Sequence, residues 1–254
     1  MALNCGIAGL PNVGKSTIFS ALSAAPAEAA NYPFCTINPN TGIVNVPDSR
    51  LDALSAIFKP ERTIPAAVEF VDIAGLVKGA SKGEGMGNQF LAHIRETGII
   101  AHVVRCFENP GIIHVNNRVD PEADMETINI ELALADLDTL LKRRERAERT
   151  LKVQGGSEKK AAEAVLAALA KIEAALSDGR SARSAALTDE ERAAVYDCHF
   201  ITLKPQIYVC NTDETGMKSA AAGRPDALIQ AVRRRAEAEN SEAVVICGKF
   251  EAEL

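Results

Sequence analysis

The chain has 254 residues and a formal net charge of -6, with 47% hydrophobic and 24% charged residues. This composition is that of a globular protein of one or two domains, and its acidic balance argues against a globally basic protein that binds DNA. No apolar run reaches the ~18 residues of a membrane span, and Met1–Leu10 lacks the charged start of a signal peptide, so we expect a cytoplasmic protein with no membrane partner.

Apolar runs alternate with helical patterns along the chain. The predicted strands are Leu3–Ala8, Thr41–Val46, Ala67–Asp72, Ile99–Cys106, Gln206–Asn211 and Ala243–Cys247. The predicted helices that follow some of them are Ser16–Ala24, Gly87–Thr97 and Pro225–Asn240. This alternation predicts an α/β fold with a mostly parallel sheet covered on both faces, in which ligands bind at the carboxyl ends of the strands. The six cysteines form no CxxC pair, and we expect buried thiols in a reducing compartment, above all at Cys106, Cys210 and Cys247.

The first predicted strand runs into Gly9-Leu-Pro-Asn-Val-Gly-Lys-Ser16, which fits the phosphate-loop pattern G-x-x-x-x-G-K-[ST] at every fixed position. Its glycines let backbone N–H groups face phosphate oxygens, and the helix N-terminus that follows favours negative charge. Lys15 is expected to reach the β- and γ-phosphates and to stabilise the transition state, and Ser16 to hold Mg²⁺. The predicted contacts with a nucleoside triphosphate are Asn12, Val13, Gly14, Lys15, Ser16 and Thr17.

Two segments after the phosphate loop are predicted to sense the γ-phosphate. In Asp72-Ile-Ala-Gly75, the carboxylate at a strand end can hold Mg²⁺ through water, and the Gly75 N–H can meet the γ-phosphate. A threonine before Asp72 could complete the Mg²⁺ shell, with Thr36 as the candidate and Thr41 as the second. The glycine-rich stretch Lys78–Gly87 is expected to be a mobile segment that the γ-phosphate orders.

A helical segment interrupts the alternation of strands and helices. Apolar residues recur first at Ile130, Leu134, Leu137 and Leu141, and again at Val165, Leu169, Ile172 and Leu176. The two stripes predict an antiparallel helical hairpin that is inserted at 130–199 and divides a nucleotide-binding domain into 1–129 and 200–254. A third helix is predicted at Thr188 because Glu191 completes the capping-box spacing, and Ser177–Ala185 is predicted to be a flexible link.

The predicted insert carries a series of basic residues, which are Lys142, Arg143, Arg144, Arg146, Arg149, Lys152, Lys159 and Lys160. Such charges are either the solvated face of a long helix or a docking arm for an acidic surface, RNA included. The residues alone leave both interpretations open.

The purine pocket is predicted at Asn211-Thr-Asp-Glu214, where a GTPase would carry N-K-x-D. In that motif the aspartate accepts hydrogen bonds from guanine N1–H and the 2-amino group, whereas Glu214 is one methylene longer. We therefore expect a relaxed or adenine-preferring pocket. Asn211 is expected either to contact purine N7 or to hold the phosphate loop. The backbone N–H groups of Cys247 and Gly248 are expected at the base edge.

Four segments resemble the YchF subfamily, the Obg-like ATPases of the translation-factor-related P-loop class: Gly9–Thr17, Asn31–Gly42, Phe70–Leu91 and His102–Asn109. The resemblance implies an ATPase that uses Mg²⁺ and consists of a G domain, an inserted helical domain and a C-terminal TGS domain. It also implies association with ribosomes, through the large subunit, the 70S particle or RNA, in translation or the stress response. K⁺ is kept as a second candidate cation. Because the chain ends at Leu254, we expect the TGS domain to be absent.

The water-positioning glutamine that follows D-x-x-G in Ras-like enzymes is replaced here by Leu76, which cannot hydrogen-bond to water. The resemblance points to His114 as a substitute that a mobile loop brings to the γ-phosphate, where an imidazole could orient the water or accept its proton. The alternative is a loop histidine with no chemical role. Three functions stay open: an ATP-hydrolysing switch, a GTPase of the same fold, and a nucleotide-gated binding module with incidental hydrolysis.

Overall fold

The computed structural model describes residues 3–24, 41–73, 75, 86–153 and 155–253. Thr36, Leu76 and nearly all of the glycine-rich stretch lie outside the described residues. The strands within the described ranges are Leu3–Ala8 (β1), Thr41–Asn45 (β2), Ala67–Asp72 (β3), Ile99–Arg105 (β4), Gln206–Asn211 (β5) and Glu242–Ile246 (β6). The α-helices there are Lys15–Ala24 (α1), Ser49–Phe58 (α2), Met86–Glu96 (α3), Pro121–Val153 (α4), Gly156–Ser177 (α5), Asp189–Ala194 (α6), Glu214–Ala221 (α7), Ala227–Ala238 (α8) and Gly248–Glu251 (α9).

The six strands form one sheet in the order β2-β3-β1-β4-β5-β6. All neighbours pair in parallel except β2 and β3, which are antiparallel. The predicted α/β fold with a mostly parallel sheet is therefore confirmed. Because β1, β3, β4 and β5 run the same way, the residues that follow them meet at one edge of the sheet. The phosphate loop, Asp72, Arg105 and Asn211 all lie at that edge.

The sheet has an apolar cluster on each face. Val103 of β4 belongs to the cluster shared with α1 and α3, whereas its neighbour Val104 belongs to the cluster shared with α8. Successive side chains of a strand point to opposite faces, so a strand buried on both sides is apolar throughout. Cys106, Cys210 and Cys247 are buried free thiols, as predicted.

Helix α4 connects the sheet to the helical hairpin without a break. Asp120 caps it by accepting from the Ala123 N–H at 3.1 Å, and a proline opens the first turn. Its 33 residues span about 50 Å. It contributes Ile128 to the core beneath the sheet and Leu140 to a separate cluster shared with α5. The predicted boundary at 130 falls inside this helix, so the division into domains stays a prediction.

The two predicted apolar stripes have different outcomes. The stripe on α5 is buried as expected, at Val165, Leu169, Ile172 and Leu176. On α4 most of the stripe is exposed: Ile130 is 50% exposed, Leu134 42% and Leu141 46%, whereas Leu137 packs against the cluster shared with α5. The buried face of α4 is formed instead by Ile128, Leu132, Ala135 and Leu140. Periodicity identifies a helix, but when a helix carries two apolar stripes, its packing partners decide which one is buried.

The segment after α5 also differs from the prediction. Ser177–Ala185 was expected to be a flexible link, yet it contains a 3-10 helix at Ala182–Ser184 with Ala182 fully buried. Arg183 holds it by donating hydrogen bonds to the carbonyls of Thr202 and Lys204 at 3.3 and 3.0 Å. The predicted capping box of Thr188 and Glu191 is confirmed at the start of α6. Within the described ranges, no helix is both long and apolar enough to span a bilayer.

Candidate nucleotide-binding site

The phosphate loop between β1 and α1 has a backbone that requires its glycines. Gly9 and Gly14 have φ of 156° and 96°, and Asn12 between them has φ of 62°. A Cβ on Gly9 would lie 2.5 Å from the Val103 carbonyl oxygen, and one on Gly14 would lie 2.1 Å from Asn211 Nδ2. Side chains at these positions would clash with the backbone of β4 or with Asn211. The loop is therefore held close to the neighbouring strand ends.

Lys15 lies in the first turn of α1 and is only 7% exposed. Its ammonium group donates a hydrogen bond to the Leu10 carbonyl at 2.9 Å, which folds the side chain back over the loop. Burial lowers the pKa of Lys15, and the nearby Asp72 carboxylate opposes that shift. Gly75 is packed so closely that a Cβ there would lie 3.2 Å from Lys15 Nζ. The structure thus places the D-x-x-G glycine beside the phosphate-loop lysine.

Ser16 and Asp72 form the part of the site that fits a magnesium ion. The Ser16 hydroxyl donates to Asp72 Oδ2 at 2.9 Å. Asp72 Oδ1 is buried and has no hydrogen-bond partner within the described structure. A carboxylate oxygen without a partner beside a hydroxyl is a suitable donor pair for Mg²⁺, which keeps waters and phosphate oxygens as its other ligands. Thr36 lies outside the described residues, and Thr41, the second candidate, begins β2 opposite Val71.

A cavity of about 730 Å³ opens beside the phosphate loop. This volume lies within the range of small-molecule sites. Three of the six predicted phosphate-loop contacts line the cavity, and Lys15 and Ser16 do not. Its lining residues are Asn12, Gly14, Thr17, Phe107, Glu108, Asn109, Ile112, Asn211, Thr212, Asp213, Glu214, Thr215, Cys247 and Lys249. Val13, by contrast, is buried and presents no side chain to the cavity.

The purine-motif residues have distinct roles in the structure. Asn211 Nδ2 donates to the Val13 carbonyl at 2.8 Å, and Asn211 Oδ1 accepts from the Gly248 N–H at 3.0 Å. The Gly248 N–H is therefore engaged by Asn211 and does not face the cavity, which corrects the expected base contact. Asp213 caps α7 by accepting from the Gly216 N–H at 2.8 Å. Glu214 follows in the first turn of α7, with its side chain exposed at the cavity wall.

Arg105 is a residue that the sequence reasoning missed. It ends β4, is 1% exposed, and its guanidinium donates to the carbonyls of Phe107, Ile112 and Asn109 at 3.1, 3.1 and 3.3 Å. It also lies 4.7 Å from the centroid of the Phe107 ring. Burial lowers the pKa of Arg105, and the charge of Asp124 opposes that shift. The sequence signal for this role is an arginine at the end of an apolar strand. A guanidinium buried there needs several hydrogen-bond acceptors, which the carbonyls of the following loop can supply.

His114 follows the loop that Arg105 holds, and its imidazole is buried. Its Nε2 lies 2.8 Å from Asp124 Oδ2, and its Nδ1 accepts from the Asn116 N–H at 3.1 Å. The adjoining backbone contacts the phosphate loop, because Asn12 Nδ2 donates to the Ile113 carbonyl at 3.1 Å. The loop thus lies beside the phosphate loop, but the imidazole points to α4. The catalytic role of His114 stays a prediction.

Comparison with known proteins gives concordant matches. Residues 4–151 match the family described as 50S ribosome-binding GTPase. The chain is 52% identical over 254 residues to the ribosome-binding ATPase YchF of Escherichia coli O157:H7, covering 100% of this chain and 67% of that protein. It is 48% identical to the ribosome-binding ATPase YchF of Bacillus subtilis strain 168, covering 100% of this chain and 68% of that protein.

A solved structure agrees with these matches. The structure of the Schizosaccharomyces pombe YchF GTPase is similar with a TM-score of 0.80 and 34% identity, covering 99% of this chain and 67% of that one. The chain thus spans about two thirds of the length of these relatives.

Proposed function

The chain belongs to the YchF family, and from that premise we propose that it binds ATP with Mg²⁺, cleaves the β–γ phosphoanhydride and acts as a nucleotide-dependent switch. The observation that carries this proposal is the group formed by Lys15, Ser16 and Asp72 beside a cavity of nucleotide size. The curated relatives are named ribosome-binding ATPases, which supports the same activity here.

The chemistry is assigned to the chain's own residues as follows. The Lys15 ammonium is expected to exchange its bond to Leu10 for phosphate oxygens and to stabilise the charge that develops on them. Ser16 and Asp72 would hold Mg²⁺, which supplies further charge neutralisation when bound. His114 is proposed to orient the attacking water. Phosphoryl transfer requires mainly positioning and electrostatic stabilisation, so these few groups are sufficient.

The choice of ATP over GTP depends on Glu214. Asp213 caps α7 through one carboxylate oxygen, and it stands one residue closer to Asn211 than the aspartate of N-K-x-D does. Glu214 is exposed at the cavity wall, one methylene longer than the aspartate that pairs with guanine. GTP is the second candidate substrate, because both the matched family and the S. pombe structure carry the name GTPase. Binding measured with the two nucleotides separates these substrates.

We propose the large ribosomal subunit and its RNA as the partner, and the cytoplasm as the location of the protein. Of the eight basic residues between Lys142 and Lys160, four are exposed and form no ion pair within the described structure: Arg146, Lys152, Lys159 and Lys160. Three of them lie where α4 ends and α5 begins, at the tip of the hairpin. Exposed cations at such a tip are suited to phosphate contacts. K⁺ is proposed as an additional cation in the nucleotide site.

The decisive experiment is release of inorganic phosphate from ATP in a single turnover. Lys15→Ala should lower the rate by at least about a hundredfold, because it removes the main cation at the transferred phosphate. Lys218→Ala removes an exposed lysine of α7 and serves as the matched control. Equal rates in the wild type and in Lys15→Ala would contradict the proposed function.

A further inference from the structure

The His114 imidazole has no nitrogen left for a water molecule. Because Nδ1 accepts from the Asn116 N–H, the proton of the neutral ring is on Nε2, and Nε2 therefore donates to Asp124. In a catalytic triad the carboxylate binds one ring nitrogen and leaves the other for chemistry. Here both nitrogens are engaged, so this arrangement cannot be that of an active base.

The position of the ring contrasts with that of its own backbone. The residue before it, Ile113, accepts a hydrogen bond from Asn12 of the phosphate loop, so the chain at this point is next to the nucleotide site. The ring itself is directed to Asp124 in the first turn of α4 and is buried with it, both side chains being less than 5% exposed. To reach the nucleotide, the side chain must turn away from Asp124.

The surroundings leave room for that turn. His114 lines a second cavity of about 540 Å³, which shares Glu108, Asn109 and Ile112 with the nucleotide cavity. Arg105 fixes the loop up to Ile112, and α4 begins at Pro121, so the backbone that can rearrange is confined to residues between them. Asn117 in that stretch already has a positive φ of 56° and forms a turn with the His114 carbonyl.

Asp124 opposes the release of the ring. Its other side-chain hydrogen bond is to Asn116 Nδ2 at 3.5 Å, a long contact, so departure of His114 would leave a buried carboxylate with one weak hydrogen bond. Such a group is costly to leave in the protein interior. Burial already raises the pKa of Asp124, against the effect of its hydrogen bond with His114.

We propose that Asp124 is a positioning residue that holds His114 in an inactive position, turned away from the nucleotide, and thereby limits the rate of ATP cleavage. The proposal rests on the proposed function, in which His114 orients the attacking water. Asp124 belongs to α4, the helix that continues into the cluster shared with α5. The residue that restrains hydrolysis is thus part of the element that enters the hairpin.

The test is single-turnover ATP cleavage by the full chain carrying Asp124→Ala. Without the carboxylate the ring is free to turn, and the rate should rise about tenfold, the effect of losing one hydrogen bond to a charged group. Glu122→Ala is the matched control, because it removes an exposed carboxylate from the same helical turn without touching His114. A merely structural role for Asp124 predicts an equal or lower rate, which would overturn the proposal.

Two further variants, Asp124→Asn and the double variant His114→Ala/Asp124→Ala, test whether the rise in rate acts through His114. Asp124→Asn retains an acceptor for Nε2 without the negative charge and should give a smaller rise, about threefold, even if the alanine variant folds poorly. In the double variant His114→Ala/Asp124→Ala the rise should vanish, and a rise that persists there would overturn the proposal. If His114→Ala loses activity but both Asp124 variants match the wild type, only the inhibitory role of Asp124 is wrong, and the role of His114 stands. If His114→Ala cleaves ATP at the wild-type rate, the catalytic assignment is wrong and the inference falls with it.

Discussion

Asn211 joins the last strands of the sheet to the phosphate loop, because its amide donates to the Val13 carbonyl at 2.8 Å while its oxygen accepts from Gly248. Of the two roles expected from the sequence, contact with purine N7 or support of the loop, the observed bonds correspond to the second. One side chain thus connects the loop after β1 with the segment after β6. The nucleotide site depends on this connection for its shape.

Asn211→Ala should therefore weaken both folding and nucleotide binding. It leaves two buried backbone groups without partners, at about 1–3 kcal/mol of unfolding free energy each. Asn211→Asp should lower the stability and the nucleotide affinity further, because it replaces the amide donor with a carboxylate facing the Val13 carbonyl. Urea denaturation and ATP titration measure both effects, with Asn45→Ala at the exposed end of β2 as the control. Wild-type stability in Asn211→Asp would contradict this role.

Ser16→Ala should remove the magnesium dependence of ATP binding. The variant loses the hydroxyl that lies 2.9 Å from Asp72 and that is expected to hold the ion. We expect ATP affinity in Mg²⁺ to fall about tenfold, the equivalent of ~1.4 kcal/mol, and affinity in EDTA to stay unchanged. Ser20→Ala, on the exposed face of α1, is the control. An equal loss with and without Mg²⁺ would show that Ser16 acts on folding and not on the metal.

Glu214→Asp should shift nucleotide preference toward GTP. The shorter carboxylate restores the length that pairs with guanine N1–H and the 2-amino group, and we expect the ratio of GTP to ATP affinity to rise about tenfold. Competition between labelled and unlabelled nucleotides measures the ratio directly. Glu242→Asp makes the same chemical change at the amino end of β6, far from the cavity. An unchanged ratio would mean that Glu214 does not determine base choice.

His102 on β4 should make stability depend on pH. It is buried against Gln206 and Tyr208, and burial lowers its pKa to about 3. Unfolding returns the ring to a pKa of about 6.5, so the unfolded chain takes up the proton first as pH falls. The contribution of His102 is therefore fully present above about pH 6.5 and is lost below it, at about 1.4 kcal/mol per pH unit.

The measurement is the free energy of unfolding in urea between pH 6.5 and 5.0, above the range in which most carboxylates titrate. His102→Asn should reduce the slope of stability against pH by about 1 kcal/mol per unit over this range, even if the variant is less stable overall. His93→Asn removes an exposed histidine of α3 and is the control. Parallel curves of unfolding free energy against pH for the wild type and His102→Asn would show that His102 does not cause this pH dependence.

The sequence was sufficient for the parts of the fold that depend on local pattern. The bounds of β1, β3 and β5 agree with the predicted runs, because each is a short apolar stretch that leads directly into a motif. The meeting of the motifs at one sheet edge follows from parallel α/β topology. The strand order and the antiparallel pairing of β2 with β3 were not predicted. Helix α2 was not predicted, although Leu51, Leu54 and Phe58 recur at helical spacing. None of its residues is buried, and Leu54 and Phe58 are 51% and 75% exposed.

Other features depend on tertiary contacts that no single-sequence pattern encodes. The positions of the sheet and of α5 determine which face of α4 is buried. The order in Ser177–Ala185 comes from Arg183, whose acceptors are some 20 residues further along the chain. In the site, the motifs identified the phosphate-binding residues, but neither the carbonyl contacts of Arg105 nor the bond between His114 and Asp124 follows from sequence spacing.

A purine triphosphate is proposed to bind between Lys15 and the cavity beside Asn211, with ATP preferred. Calorimetric titration of the full chain with ATP and with GTP, each with Mg²⁺, tests it most directly. We expect one site per chain and an ATP affinity above that for GTP. No heat with either nucleotide on folded protein, or GTP binding about tenfold tighter than ATP, a difference of ~1.4 kcal/mol, would contradict it.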